Sequence, residues 1–241
     1  MDSKKLIVWM SVFLALFMLA GATDTYILLP MDDAHLENSS YGSKGNILQR
    51  YNLTPVLNDY NDKNMTFISA VNSLYAYDLE KNWNNVKLYS KDPADTCWNE
   101  TMTCADYEAC KGTRSTNELS QQSLVKNDHK YYSWNATGTL DATRPGVLWH
   151  LEQNHTNISF LTPFHASEYG CQVLNNSNTL WAEDNSGKGA SMWSKEGTHS
   201  PLLIITLQDP KELLRKIRLT DAETYLKFSS KNIYLKLTGE T

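Results

Sequence analysis

The chain of 241 residues is poor in glycine and proline, with 11 and 7. That scarcity excludes a collagen-like repeat and a Pro/Gly-rich disordered chain. Positive charge is not in excess: 22 Lys and Arg face 27 Asp and Glu, for a formal net charge of −5. Neutralising phosphates needs a basic face, so the balance argues against a dedicated nucleic-acid binder. No internal repeat or low-complexity tract is visible. Catalytic motifs are missing too. There is no Gly-x-Ser-x-Gly and no His-Glu-x-x-His, and Gly187-Lys188-Gly189 is too short for a phosphate loop. His35, His129, His150, His155, His165 and His199 fall in no triad context, and a strand would keep His150 and His155 from converging on a metal. The expectation is a protein that is not an enzyme and needs no cofactor or metal.

What is present begins with an address. Lys4 and Lys5 precede an apolar run from Leu6 to Ala20, broken only by Ser11, and Ala20-Gly21-Ala22 supplies small residues for a cut. A run of about fifteen residues is short of the roughly 20 that span a bilayer. Residues 1–22 therefore read as a signal peptide, and the product as secreted and extracellular. Its removal would leave 20 basic and 26 acidic residues, a net charge of −6. No second apolar stretch is long enough to anchor the chain, and the ending Lys-Leu-Thr-Gly-Glu-Thr carries no retrieval or lipid-anchor signal. Glycan acceptor sequons at Asn38, Asn52, Asn64, Asn99, Asn135, Asn154, Asn157 and Asn175 fit a secreted glycoprotein. None lies in the last 66 residues, which could present a bare face.

Cys97, Cys104, Cys110 and Cys171 make an even set, which in a secreted chain reads as two disulfides. Three pairings are open. All of them join Cys171 to one of the clustered three and leave the other two to pair locally. The long bridge closes at least 61 residues, worth on the order of 4 kcal/mol in the chain-entropy picture.

Residues 23–66 are polar and turn-rich, an irregular extension expected to wrap a core, with 58–64 as a loop. Residues 67–241 read as one β-rich binding domain. Ile68, Val71, Leu74, Tyr75 and Leu79 fall at helical spacing and predict a helix over 67–83. Val86–Tyr89 alternates as a strand, and a helical turn is expected near 118–125, after a short strand at Trp98. Short aromatic and β-branched runs follow at 130–134, 146–151, 157–161, 170–174, 179–182, 190–194 and 202–207, the pattern of an antiparallel meander or barrel. Asp209-Pro210-Lys211-Glu212 and Thr220-Asp221-Ala222-Glu223 mark two helix starts, the second helix carrying Tyr225 and Leu226. A last strand covers 233–237.

The aromatic residues stand out. Trp83, Trp98, Trp134, Trp149, Trp181 and Trp193 lie mostly in expected strands. Alternate residues of a strand share a face, so a closing sheet would turn such residues into a lined cavity.

Asn85-Val-Lys-Leu-Tyr-Ser90, then Cys97-Trp98, then Glu168-Tyr-Gly-Cys171-Gln-Val-Leu174 and Thr179-Leu-Trp181 succeed one another in a layout that resembles the secreted lipocalins. It is most similar to the salivary, histamine-binding lipocalins of ticks. Cys104 and Cys110 are additional to that pattern, and its C-terminal cysteines are absent. The resemblance implies an eight-stranded barrel with C-terminal helices outside and a pocket for a biogenic amine, a leukotriene or another lipid mediator.

The expected function is sequestration of a small hydrophobic or amine ligand without catalysis. Trp134, Trp149, Phe160, Trp181 and Trp193 are the candidate pocket lining, and Glu152 or Glu168 the candidate partner of an amine. The alternative is an immune-modulating protein that binds a host protein such as a cytokine, a chemokine or a class I-type receptor.

Overall fold

A computed structural model describes residues 23–38, 43–91, 98–100, 113–164, 172–174, 179–209, 224–228 and 233–237. The expected signal peptide, the four cysteines, Glu168, Asn175 and the helix from Pro210 lie outside the described residues. In chain order the elements are β1 (Thr23–Leu28), β2 (Asp32–Asn38), β3 (Ser43–Asn52), α1 (Thr54–Asp62), β4 (Thr66–Leu79), β5 (Trp83–Ser90), β6 (Ser120–Leu124), β7 (Tyr131–Asn135), α2 (Val147–Glu152), β8 (Asn157–Pro163), β9 (Gln172–Leu174), β10 (Thr179–Glu183), β11 (Gly189–Trp193), β12 (Leu202–Gln208), β13 (Thr224–Phe228) and β14 (Ile233–Leu237).

The protein is mainly β, and among the described residues every strand pair is antiparallel. Sheet I runs β1-β12-β4-β11-β10, with β7 also paired to β4. Sheet II runs β6-β5-β8-β3-β2-β9. Along one side β10 lies against β3 and β2, and along the other β7 lies against β6, so the two sheets enclose a common core. A plain meander is not what forms. Most ladders, such as β1–β12, β4–β12 and β3–β8, join strands far apart in sequence.

The core is filled by side chains from both sheets. Ile47, Tyr51, Leu74, Leu79, Leu88, Trp134, Phe160, Met192, Leu203 and Ile205 are all buried in it. A smaller cluster of Ala34, Leu36, Leu48, Tyr89, Trp98 and Leu161 lies on the other face of sheet II. There Trp98 covers the sheet, its indole N–H donating to Ser159 Oγ at 3.0 Å. Among the described residues Trp98 belongs to no strand.

Several expectations are corrected. The helix over 67–83 is instead the long strand β4. Its apolar residues suit a helical period only because both faces of the strand carry them. Ala70, Asn72, Leu74 and Ala76 point inward at a period of two, while Val71, Tyr75 and Tyr77 point outward. Residues 23–66 are not a wrapping: they supply β1 to β3, and Ile47, Leu48, Tyr51, Leu53 and Val56 are fully buried. The expected loop at 58–64 largely belongs to α1, which carries Pro55 in its first turn. The strand over 146–151 is α2, with Val147, His150 and Leu151 buried at helical spacing. The chain can turn there because Gly138, at φ +73°, touches Gly146 so closely that neither has room for a Cβ, and Val147 N–H donates to the Ala136 carbonyl at 2.9 Å. The expected turn near 118–125 is the edge strand β6, held by β5. The second C-terminal helix gives way to a hairpin in which Leu226 stands opposite Leu235 and Phe228 opposite Ile233.

Candidate functional site

The structure disperses the expected pocket residues. Trp134 and Phe160 fill the core; the Trp134 indole donates to the Val86 carbonyl at 2.8 Å. Trp149 stands on α2 and lines a small hollow with Thr113, Arg114 and Pro145. Trp181 lies flat over Gly189 on the neighbouring strand, its indole N–H on Glu183 Oε1 at 2.8 Å. Trp193 meets Tyr77 at 4.8 Å on the outer face of sheet I. Glu152 is exposed and accepts the Tyr60 hydroxyl rather than facing a cavity. Of the sequons, Asn52, Asn64, Asn135 and Asn154 are exposed, Asn99 and Asn157 are half-buried, and Asn38 closes β2. Among the described residues no three His, Cys, Asp or Glu side chains gather as a metal site requires, and no helix is long and apolar enough to cross a membrane.

Two surfaces remain. The first is the outer face of sheet I. Register sets Ile27, Ile204, Val71 and Asn135 in one row across β1, β12, β4 and β7. The next row holds Leu202, Ser73 and Ser133, and beyond it Tyr75 faces Tyr131. None of these residues is charged. His199 stacks on Tyr75 at 4.1 Å, and Tyr131 and Trp193 stand edge-on to it. Ile27, Leu29, Tyr77 and Tyr131 are exposed, Ile27 to 63%. Sequence reasoning missed this face because Val71 and Tyr75 also fit the helical spacing of Ile68, Leu74 and Leu79.

The second is a cleft of about 330 Å³ between the start of β5 and the end of β8. The antiparallel register puts Tyr89 opposite Leu161, and two steps on it would put Lys87 opposite Pro163. Proline has no N–H to give, so the ladder stops and the strands part. On the β6 side the register shifts between Trp83 and Val86, and Asn85 sits at φ +56°. Trp83, Asn84, Asn85, Val86, Lys87, Tyr89, Arg114, Pro163 and Phe164 form the walls.

His150 and Asp33 are buried ionisable groups outside both surfaces. Burial, and then the neighbouring His155, push the His150 pKa down to about 3. Burial pushes Asp33 up to about 7, against the opposing hydrogen bond from the Lys195 N–H at 2.6 Å.

No protein-family model matches this chain, and no curated protein matches it in sequence.

Proposed function

We propose that the chain is a secreted, glycosylated protein that works by binding rather than catalysis, and that its partner is a basic protein of the cytokine or chemokine kind. The observation that supports this most is the outer face of sheet I, which is aromatic, uncharged over the rows from Ile27 to Tyr131, and uncovered among the described residues. Large exposed apolar faces mark interaction sites, and Tyr and Trp are the residues that anchor them. Sheet II has its outer face covered by Trp98; among the described residues nothing does the same for sheet I. The net charge of −5 and the carboxylates of exposed Asp78 and half-buried Glu183 near the aromatic cluster favour a cationic partner and speed its approach.

Titration of the immobilised chain with a panel of basic and acidic cytokines and chemokines tests this reading. Saturable binding to a basic member, weakened by salt, supports it. Binding to none, or sedimentation as a dimer that a Tyr77→Asp change dissolves, overturns it; in the latter case the face covers itself.

Sequestration of a small ligand is the second reading, and the cleft beside Trp83 favours it. Its volume is within the roughly 300–1,000 Å³ of small-molecule sites. Among the described residues its wall carries Lys87 and Arg114 and no carboxylate, which suits an acidic lipid mediator better than an amine.

A further inference from the structure

We propose that the cleft between β5 and β8 binds a planar organic acid, its ring against Trp83 and Phe164 and its anionic group on Arg114. This deepens the small-ligand reading and rests on the cleft alone, so it stands or falls apart from the docking face.

Three observations carry it. The first is an unanswered donor. Trp83 is 6% exposed, and its indole Nε1 is buried with no hydrogen-bond partner among the described residues. A buried donor left unpaired is costly, and native proteins leave few of them without a reason. Trp83 is also a wall of the cleft.

The second is charge. The Arg114 guanidinium lies over the Tyr89 ring at 4.5 Å and lines the cleft. The described residues give Arg114 no carboxylate partner. Lys87 adds a second cation, leaning on Glu118 at 3.6 Å. A planar guanidinium pairs two N–H groups with two oxygens of one anion, which an ammonium does not.

The third is shape. Trp83 and Phe164 meet edge to face at 5.0 Å, and Lys81 Nζ sits 4.4 Å over the Trp83 ring. Both rings are mostly buried, so the corner meets a flat ligand with the strip of aromatic surface that the cleft wall exposes. The acid is thus recognised by an apolar plane at one end and a forked cation at the other.

Calorimetric titration of the full secreted chain with 2-naphthoate, 2-naphthylmethylammonium and inorganic sulfate tests the proposal. The expected result is micromolar binding of 2-naphthoate, about tenfold or more tighter than either of the others, and about tenfold weaker in Arg114→Gln. In nitrogen-15 spectra the Trp83 indole resonance, assigned by its absence from Trp83→Phe, should move on adding 2-naphthoate. Thermal melts of both variants establish that they are folded. Absence of naphthoate binding at millimolar concentration, equal binding of the ammonium compound, or undiminished affinity in folded Arg114→Gln would each overturn it. Failure here leaves the protein-docking reading untouched, because Tyr77 and Trp193 are not among the residues that wall the cleft.

Discussion

Tyr51 on β3 donates its hydroxyl proton to Asn72 Oδ1 on β4 across 3.0 Å, in the buried space between the two sheets. The ring closes through Gln49: Asn72 Nδ2 donates to Gln49 Oε1 at 2.8 Å, and Gln49 Nε2 donates to Tyr51 Oη at 3.0 Å. All three residues are fully buried. A buried polar group is tolerable only when it is paired, and here each residue pairs the other two. The ring also fixes which residue of β4 faces which residue of β3. Asn72→Ala leaves both partners of the other sheet short of a bond and should cost about 2–4 kcal/mol in urea unfolding. Tyr51→Phe keeps the ring contact with Phe160 and should cost less, about 1–2 kcal/mol. Equal and negligible costs for both would show that the ring does not couple the sheets.

Gly189 and Trp181 should behave as one unit. A Cβ at Gly189 would come within 2.1 Å of the Trp181 ring, and a half-buried indole has limited room to yield. Gly189→Ala should destabilise by about 1–3 kcal/mol, as overpacking does. In a Trp181→Ala background the same change should cost clearly less. Additive costs in the double-mutant cycle would mean the indole moves aside freely.

His150 and Asp33 should pull stability in opposite directions with pH. The folded pKa of His150 lies below its unfolded value of 6.5, so the folded state resists its protonation. Stability from this group is full above about pH 6.5 and falls as the pH drops, by about 2 kcal/mol at pH 5. Asp33 is raised from 3.8 to about 7, so ionising it opposes folding. That burden is complete above pH 7 and lifts as the pH falls toward 3.8. Between pH 7 and 5 the two nearly cancel. Asp33→Asn should therefore lose stability on acidification through this window, and His150→Phe should gain it. Chemical unfolding at pH 7, 6 and 5 reads both, and parallel curves for the two variants would contradict the assignment.

The sequence made some of this legible and hid the rest for physical reasons. Strands β5, β8, β10, β11 and β12 were readable because each is short, β-branched or aromatic, and bounded by Gly, Asn or Pro. Pro163 was read as a strand stop, and it is also what opens the cleft. The strand β4 was hidden because it is apolar on both faces, which blurs a period of two into one of three and four. The strand β2 was hidden for a different reason: it buries the polar side chains of Asp33 and His35, where a core strand is expected to carry apolar ones. Trp149 was expected at a pocket and does line a hollow, but from a helix. No local pattern could show that Trp83 and Arg114, 31 residues apart, share a wall. That depends on a ladder between strands distant in the chain.

Asn135 stands on the edge strand β7, in the row of Val71 and Ile204. A glycan there flanks the docking face rather than covering the aromatic cluster. Asn135→Gln should leave partner affinity within about twofold, since loss of a rim group changes little. A tenfold change in either direction would place the sugar within the interface.

The docking face is most directly tested by the paired change Tyr77→Ser and Trp193→Ser. Both side chains lie outside the core, so the melting temperature should hold within a few degrees. Affinity for the basic partner should fall about a hundredfold or more, the loss expected when two central aromatic anchors go. A folded double variant that still binds with the affinity of the unaltered chain would contradict the account.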